Sequence, residues 1–178
     1  YSVSEGGNGI QVVDLTQIDA GTVTLVNTVT DGGSTSTHTV ALDEVSGYLY
    51  RAGGSGNGLR IYSLANPALP VYVGGWFDRY VHETLPVTYT SGPYAGRQIA
   101  FCCGGYDNGW TSTRLDILDV TNKASITVLD SVFYPGAAYA HQGWLSADRA
   151  YYYLGDELDE NGSLPTTTYI IQVSDPAN

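Results

Sequence analysis

Gly9-Ile10-Gln11-Val12-Val13-Asp14-Leu15 decides the reading of this chain, because the chain repeats it. It returns as Gly58-Leu59-Arg60-Ile61-Tyr62-Ser63-Leu64 and as Arg114-Leu115-Asp116-Ile117-Leu118-Asp119-Val120. A last copy reads Thr168-Tyr169-Ile170-Ile171-Gln172-Val173-Ser174-Asp175. Each copy alternates apolar and polar side chains, the period of a half-buried strand. Ile10, Leu59, Leu115 and Tyr169 follow one another at spacings of 49, 56 and 54 residues. A strand phrase returning every ~40–50 residues predicts β-propeller blades, each a four-stranded antiparallel sheet.

The flanking sequence fits that frame. In the second blade, His38–Leu42 reads as the first strand, Tyr48–Ala52 as the second, Leu59–Leu64 as the third and Val71–Phe77 as the fourth. Turn residues separate them, including Gly53-Gly54-Ser55-Gly56-Asn57-Gly58. The third blade runs from His82 through Gln98–Cys102 and Leu115–Val120 to Ile126–Val132. The fourth begins at His141 and reaches Tyr169–Val173. Blade boundaries therefore fall near 1–37, 38–81, 82–140 and 141–178. The expected fold class is all-β, with two complete and two partial blades. The first blade lacks its innermost strand and the last its outermost. Three completions are open: a longer propeller of which this is a segment, neighbouring chains adding strands to the open blades, or a compact irregular four-bladed ring.

Composition agrees with an all-β chain. The 178 residues include 22 Gly, 15 Tyr and no Met. The net charge of −11 excludes a nucleic-acid partner, which needs clustered Lys and Arg. No apolar run approaches the ~18 residues of a membrane span. An acidic surface with a single lysine, Lys123, is the pattern of a secreted or cell-surface protein.

The three histidines, His38, His82 and His141, all stand at the head of a first strand. In a propeller the first strands line the axial channel, so the three imidazoles converge at one mouth of it. Such a ring suits Zn, Cu or Fe, with Glu83 as an added carboxylate. The competing reading is structural: each His fixes a neighbouring loop. A second cluster, Gly155-Asp156-Glu157-Leu158-Asp159-Glu160, offers oxygen donors of the kind Ca²⁺ takes. Its spacing is not that of an EF-hand, and a solvated acidic loop is the plain alternative. Asp156 and Glu157 directly follow a strand and are placed nearest the channel.

Cys102 and Cys103 are adjacent. A vicinal disulfide ranks first, with Gly104-Gly105 allowing the distorted turn it needs. Buried free thiols and bonds to other cysteines remain open. Asn161-Gly162-Ser163 is a glycosylation sequon. Trp76, Trp110, Trp144 and the tyrosines read as blade packing, with Trp110 the most exposed. The parts of a Ser-His-Asp triad are present, but the nucleophile-elbow motif is not.

Several stretches resemble a known family. Leu115-Asp116-Ile117-Leu118-Asp119-Val120-Thr121-Asn122-Lys123-Ala124 looks like the LVIVD repeat. Tyr139-Ala140-His141-Gln142-Gly143-Trp144-Leu145, then Leu154-Gly155-Asp156-Glu157-Leu158-Asp159-Glu160, is similar to a segment of the choice-of-anchor B proteins. Phe101-Cys102-Cys103-Gly104-Gly105 fits that group too. The resemblance implies secreted or surface-attached proteins built of propeller repeats and longer than this chain. His38, His82 and His141 match the recurrent His-polar heads of the family's blades, with Thr39 departing from the Asn or Asp expected after the first. The resemblance implies no reaction. The expected function is a binding or structural scaffold with a divalent metal at the channel and a protein or glycan ligand on its loop face. Two alternatives stand beside it: a metal-dependent enzyme with Glu83 or Glu157 as general base, and a subunit of an extracellular polymer joined through edge strands.

Overall fold

The computed structural model describes residues 1–160 and 165–178. The sequon asparagine, Asn161, lies outside the described residues. Thirteen strands and one 3-10 turn, Ile18–Ala20, make up the regular structure among them. β1 (Ile10–Asp14) pairs with β2 (Thr24–Val29). β3 (Thr39–Asp43), β4 (Tyr48–Ala52), β5 (Leu59–Ser63) and β6 (Val71–Trp76) form a four-stranded antiparallel meander. β7 (Glu83–Thr88), β8 (Gln98–Gly104), β9 (Arg114–Asp119) and β10 (Thr127–Val132) form a second. β11 (Ala140–Leu145), β12 (Tyr151–Asp156) and β13 (Thr168–Gln172) form a three-stranded sheet. The fold is thus all-β, in four antiparallel sheets of two to four strands. The repeated phrase supplies β1, β5, β9 and β13.

The sheets stack face to face, and a core fills each interface. Ile10, Val12 and Val29 of the first sheet pack on Leu49 and Tyr62 of the second. Tyr50, Ala52, Leu59 and Ile61 of the second meet Ala100, Cys102 and Leu118 of the third. Phe101, Cys103, Leu115 and Ile117 of the third meet Tyr152 and Leu154 of the fourth. Phe101 and Tyr152 stack at 5.3 Å between ring centres. A sheet covered on both faces needs apolar residues of both parities. That is why β8 reads Ile99-Ala100-Phe101-Cys102-Cys103 without a polar break. Burying one large side chain of this kind contributes roughly 1.5–3 kcal/mol.

The glycine opening two copies of the phrase has a definite cause. Gly9 and Gly58 both take positive φ, 65° and 90°. A Cβ at Gly9 would stand 2.0 Å from the Val29 carbonyl oxygen, and one at Gly58 1.9 Å from that of Trp76. The turn into the strand crosses the end of the neighbouring strand too closely for any side chain.

Two expectations need correction. A first blade lacking only its innermost strand requires a strand ahead of Ile10, and that segment, from Tyr1 onward, forms only a single bridge, Ser2 to Gln11. Gly7, Asn8 and Gly9 all turn at positive φ and lead the chain away before a ladder forms. The vicinal disulfide is absent: Cys102 and Cys103 are free, fully buried thiols. β8 runs as a regular strand through both, pairing Thr84 with Cys102 and Glu83 with Cys103. Regular pleating sends neighbouring side chains to opposite faces. Cys102 therefore joins the core toward the second sheet and Cys103 the core toward the fourth.

Candidate metal centre

The first strands β3, β7 and β11 of three successive sheets lie side by side. Residues 40–42, 83–86 and 142–144 of these strands line a cleft of about 270 Å³. The histidines enter at the head of the same strands. His38 immediately precedes β3, His82 immediately precedes β7, and His141 is the second residue of β11. His38 and His82 have ring centres 4.1 Å apart, His82 and His141 4.8 Å, and His38 and His141 6.5 Å. One ring nitrogen from each lies within 4.8 Å of the others. A tetrahedral ion with bonds of 2.0–2.1 Å needs donors about 3.3–3.5 Å apart. Small side-chain rotations span that difference.

Backbone positions hold the rings. The His38 amide donates to Ala52 O at 3.0 Å and the His82 amide to Cys103 O at 2.8 Å. Gly53, at φ 72°, lies against the base of the His38 side chain and the His82 backbone. A Cβ there would stand 2.3 Å from His38 Cβ and 3.0 Å from His82 O.

The partners of the other ring nitrogens set the tautomers. His38 Nδ1 lies 2.8 Å from Glu5 Oε1, so Nδ1 carries the proton and Nε2 holds a lone pair. His82 Nδ1 lies 3.2 Å from Tyr139 Oη and 3.5 Å from Tyr80 Oη. Tyr139 gives its one hydroxyl proton to Asp107 Oδ2. Its oxygen is then left to accept from His82 Nδ1–H, a proton placement assigned from the network. His82 Nε2 consequently bears a lone pair. It is buried and, among the described residues, has no hydrogen-bond partner. His141 Nε2 stands 3.6 Å from Glu157 Oε2 at the rim. Burial first, and then the two neighbouring imidazoles, push His82 down to about 4. It is therefore neutral, and a donor, at ordinary pH.

Glu83 opens β7 on the same side, half-buried between Thr84 and His82 in the chain. Burial raises its pKa, opposed by His141 and His38. Asp156 requires correction as a ligand. It is buried, and its oxygens accept from Tyr134 Oη and the amides of Ala138, Tyr139 and Leu158, at 2.7–3.0 Å. A carboxylate so occupied is a clamp. It fixes the backbone of Tyr139, whose hydroxyl supports His82. Glu157 alone of that pair reaches the histidines.

The supporting residues Glu5, Tyr80, Asp107 and Tyr139 escaped sequence reasoning. A signal existed: Tyr80-Val81-His82 and Tyr139-Ala140-His141 repeat the same spacing. Sequence alone did not show that Tyr139 would serve the histidine of the preceding sheet. The tryptophans also differ from expectation. Trp110 is half-buried beneath the Arg79 guanidinium at 5.0 Å, whereas Trp144 on β11 is 69% exposed. A larger hollow of about 470 Å³, containing Tyr89, Tyr94 and Arg149, lies toward the far end of β7. Among the described residues its charged lining groups are Asp148 and Arg149, and none of the histidines lines it.

No family model and no curated protein matches the chain. Among solved structures it is similar to a crystal structure of a protein from Lactobacillus plantarum, with a TM-score of 0.53 and 11% identity. That likeness covers 87% of this chain and 46% of the other, so the chain spans under half of that protein's length. At this identity the likeness speaks to the β-fold alone. No helix among the described residues is long and apolar enough to cross a membrane.

Proposed function

We propose that this chain is a transition-metal-binding scaffold, with His38, His82 and His141 as the ligands. One observation carries the reading: the buried, unpartnered Nε2 of His82 beside two further imidazoles. A buried acceptor without a partner costs roughly 1–3 kcal/mol, and a bound cation removes that cost. Three imidazoles suit Zn, Cu or Fe. Calcium takes six to eight oxygens and finds no such set here, because Asp156 is fully used.

The wider reading is a segment of a β-propeller whose channel mouth holds the ion. The side-by-side first strands and the stacked sheets support it. So does the resemblance to LVIVD repeats and choice-of-anchor B proteins, which also carries the proposal of a secreted or surface location. The uncovered residues Trp144, Tyr153 and Ile170 pair in one row across β11, β12 and β13. They support a further sheet or partner on that side.

Glu83 and Glu157 at the rim favour a second reading, metal-assisted hydrolysis with one of them as base. Metal content and titration calorimetry of chelator-treated protein test the first reading. One equivalent of Zn²⁺ bound by the wild type and lost in His141→Ala is the expected result. No binding by the wild type overturns it. Hydrolysis of activated esters that requires both metal and Glu83 would select the second.

A further inference from the structure

The second sheet buries two arginines that have no ion-pair partner among the described residues. Arg51 on β4 and Arg60 on β5 are directly opposed in register and share one face of the sheet. They are 1% and 7% exposed. Like charges directly opposite one another repel. Among the described residues, no carboxylate oxygen lies within 4.0 Å of either guanidinium, since every ion pair involves other groups. Asp31 is the acidic residue whose field reaches Arg51. Its Oδ2 is engaged by the Tyr72 amide at 3.3 Å.

The hydrogen-bond inventory is equally lopsided. Arg60 donates from Nε to Gly32 O at 2.7 Å and from Nη1 to Asn57 O at 3.1 Å. Arg51 Nη1 and Nη2 are buried and, among the described residues, have no acceptor. The Tyr62 ring lies 5.8 Å from the Arg51 guanidinium carbon, and the Phe77 ring 5.1 Å from that of Arg60. Two glycine-serine loops, 31–36 and 53–58, close over Arg60. They are joined by Ser34 Oγ to Ser55 Oγ at 2.9 Å and by the Ser55 amide to Ser36 Oγ at 3.0 Å. Gly33 and Gly56, at φ 98° and 103°, let the two loops turn beside Arg60.

Desolvating a guanidinium costs several kcal/mol unless it is both neutralised and hydrogen-bonded. A water molecule meets the second need but not the first. We infer that the Arg51–Arg60 pair binds a small monovalent anion, of halide size, between the first and second sheets. The anion accepts from Arg51 Nη1 and Nη2 and screens one guanidinium from the other. The site stands apart from the histidine centre.

Thermal unfolding at constant ionic strength, exchanging gluconate for chloride, tests this. The expected result is a Tm rise of roughly 5–10 °C at a hundredfold excess over Kd, lost in Arg51→Met. An unchanged Tm, or a rise that persists in Arg51→Met, overturns the inference. Should that variant fail to fold, wild-type crystals soaked in bromide decide. An anomalous peak within hydrogen-bonding reach of Arg51 Nη1 or Nη2 supports the site, and water alone at that position overturns it.

Discussion

The histidines and the cysteines of this chain behave in opposite ways. His38, His82 and His141 are more than forty residues apart in sequence, yet their rings pack within 4.1–6.5 Å. Cys102 and Cys103 are covalent neighbours, yet they serve different cores. One geometric rule produces both results. Side chains alternate across a strand, so adjacent residues diverge. Stacked sheets present equivalent positions side by side, so repeated residues converge. Sequence distance is the wrong measure in a repeating β-fold; position within the repeat is the right one.

The sharpest way to break the comparison is to remove the central ring. His82→Ala deletes a donor worth roughly 3 kcal/mol of metal binding, taking the free energy of a structural zinc site and dividing it among its donors. Zn²⁺ affinity measured by calorimetry should fall by about a hundredfold or more. Equal affinity in the variant would mean that the three rings converge without acting together.

A smaller but related effect follows from acid. His82 has a folded-state pKa of about 4 against an ordinary 6.5. Between these values the unfolded chain takes up a proton that the folded ring refuses. Stability of the metal-free protein therefore falls as pH drops from 6.5 toward 4, by up to ~3 kcal/mol from this residue, and the loss stops below 4. Carboxylates titrate near the lower limit, so the informative quantity is the difference between wild type and His82→Gln in urea unfolding. Parallel pH profiles for the two proteins would refute the assignment.

Tyr139→Phe tests the support one step out. It removes the oxygen that holds His82 Nδ1–H and leaves the packing of the ring in place. Metal affinity should drop about tenfold to a hundredfold, the usual effect of losing an outer partner, with Tm of the metal-free protein little changed. A large fall in Tm with intact affinity would make Tyr139 a packing residue and nothing more.

Much of this was legible from the strand phrase. Its period of two fixed β5 over Leu59–Ser63 and β9 over Arg114–Asp119, within a residue of expectation. The in-phase placement of the histidines signalled their meeting, because each stands where a first strand begins. What stayed hidden were contacts between sheets. Tyr139 lies two residues from His141 but supports His82, and no periodicity reports which sheet faces which. The role of Asp156 is hidden for a related cause. An acidic run gives no sign that one member turns inward to accept three amide protons. The regular alternation from Ile99 to Cys103 outweighs the freedom that Gly104-Gly105 offers, so the two thiols stay apart.

The thiols sharpen the comparison from the other side, with the smallest expected effect. Burial raises both, Cys103 to about 12, so neither supplies the thiolate that disulfide exchange and alkylation require. Cys102 is further held against Thr84 Oγ1 at 3.4 Å and Cys103 against Tyr152 Oη at 3.5 Å. Adding reductant should leave Tm unchanged. Native protein should resist maleimide over hours and react at two sites once denatured. If reductant lowers Tm, the two sulfurs are bonded and β8 is broken at Cys102. The pleat that separates them, and the register that sets Glu83 beside the histidines, would then be wrong together.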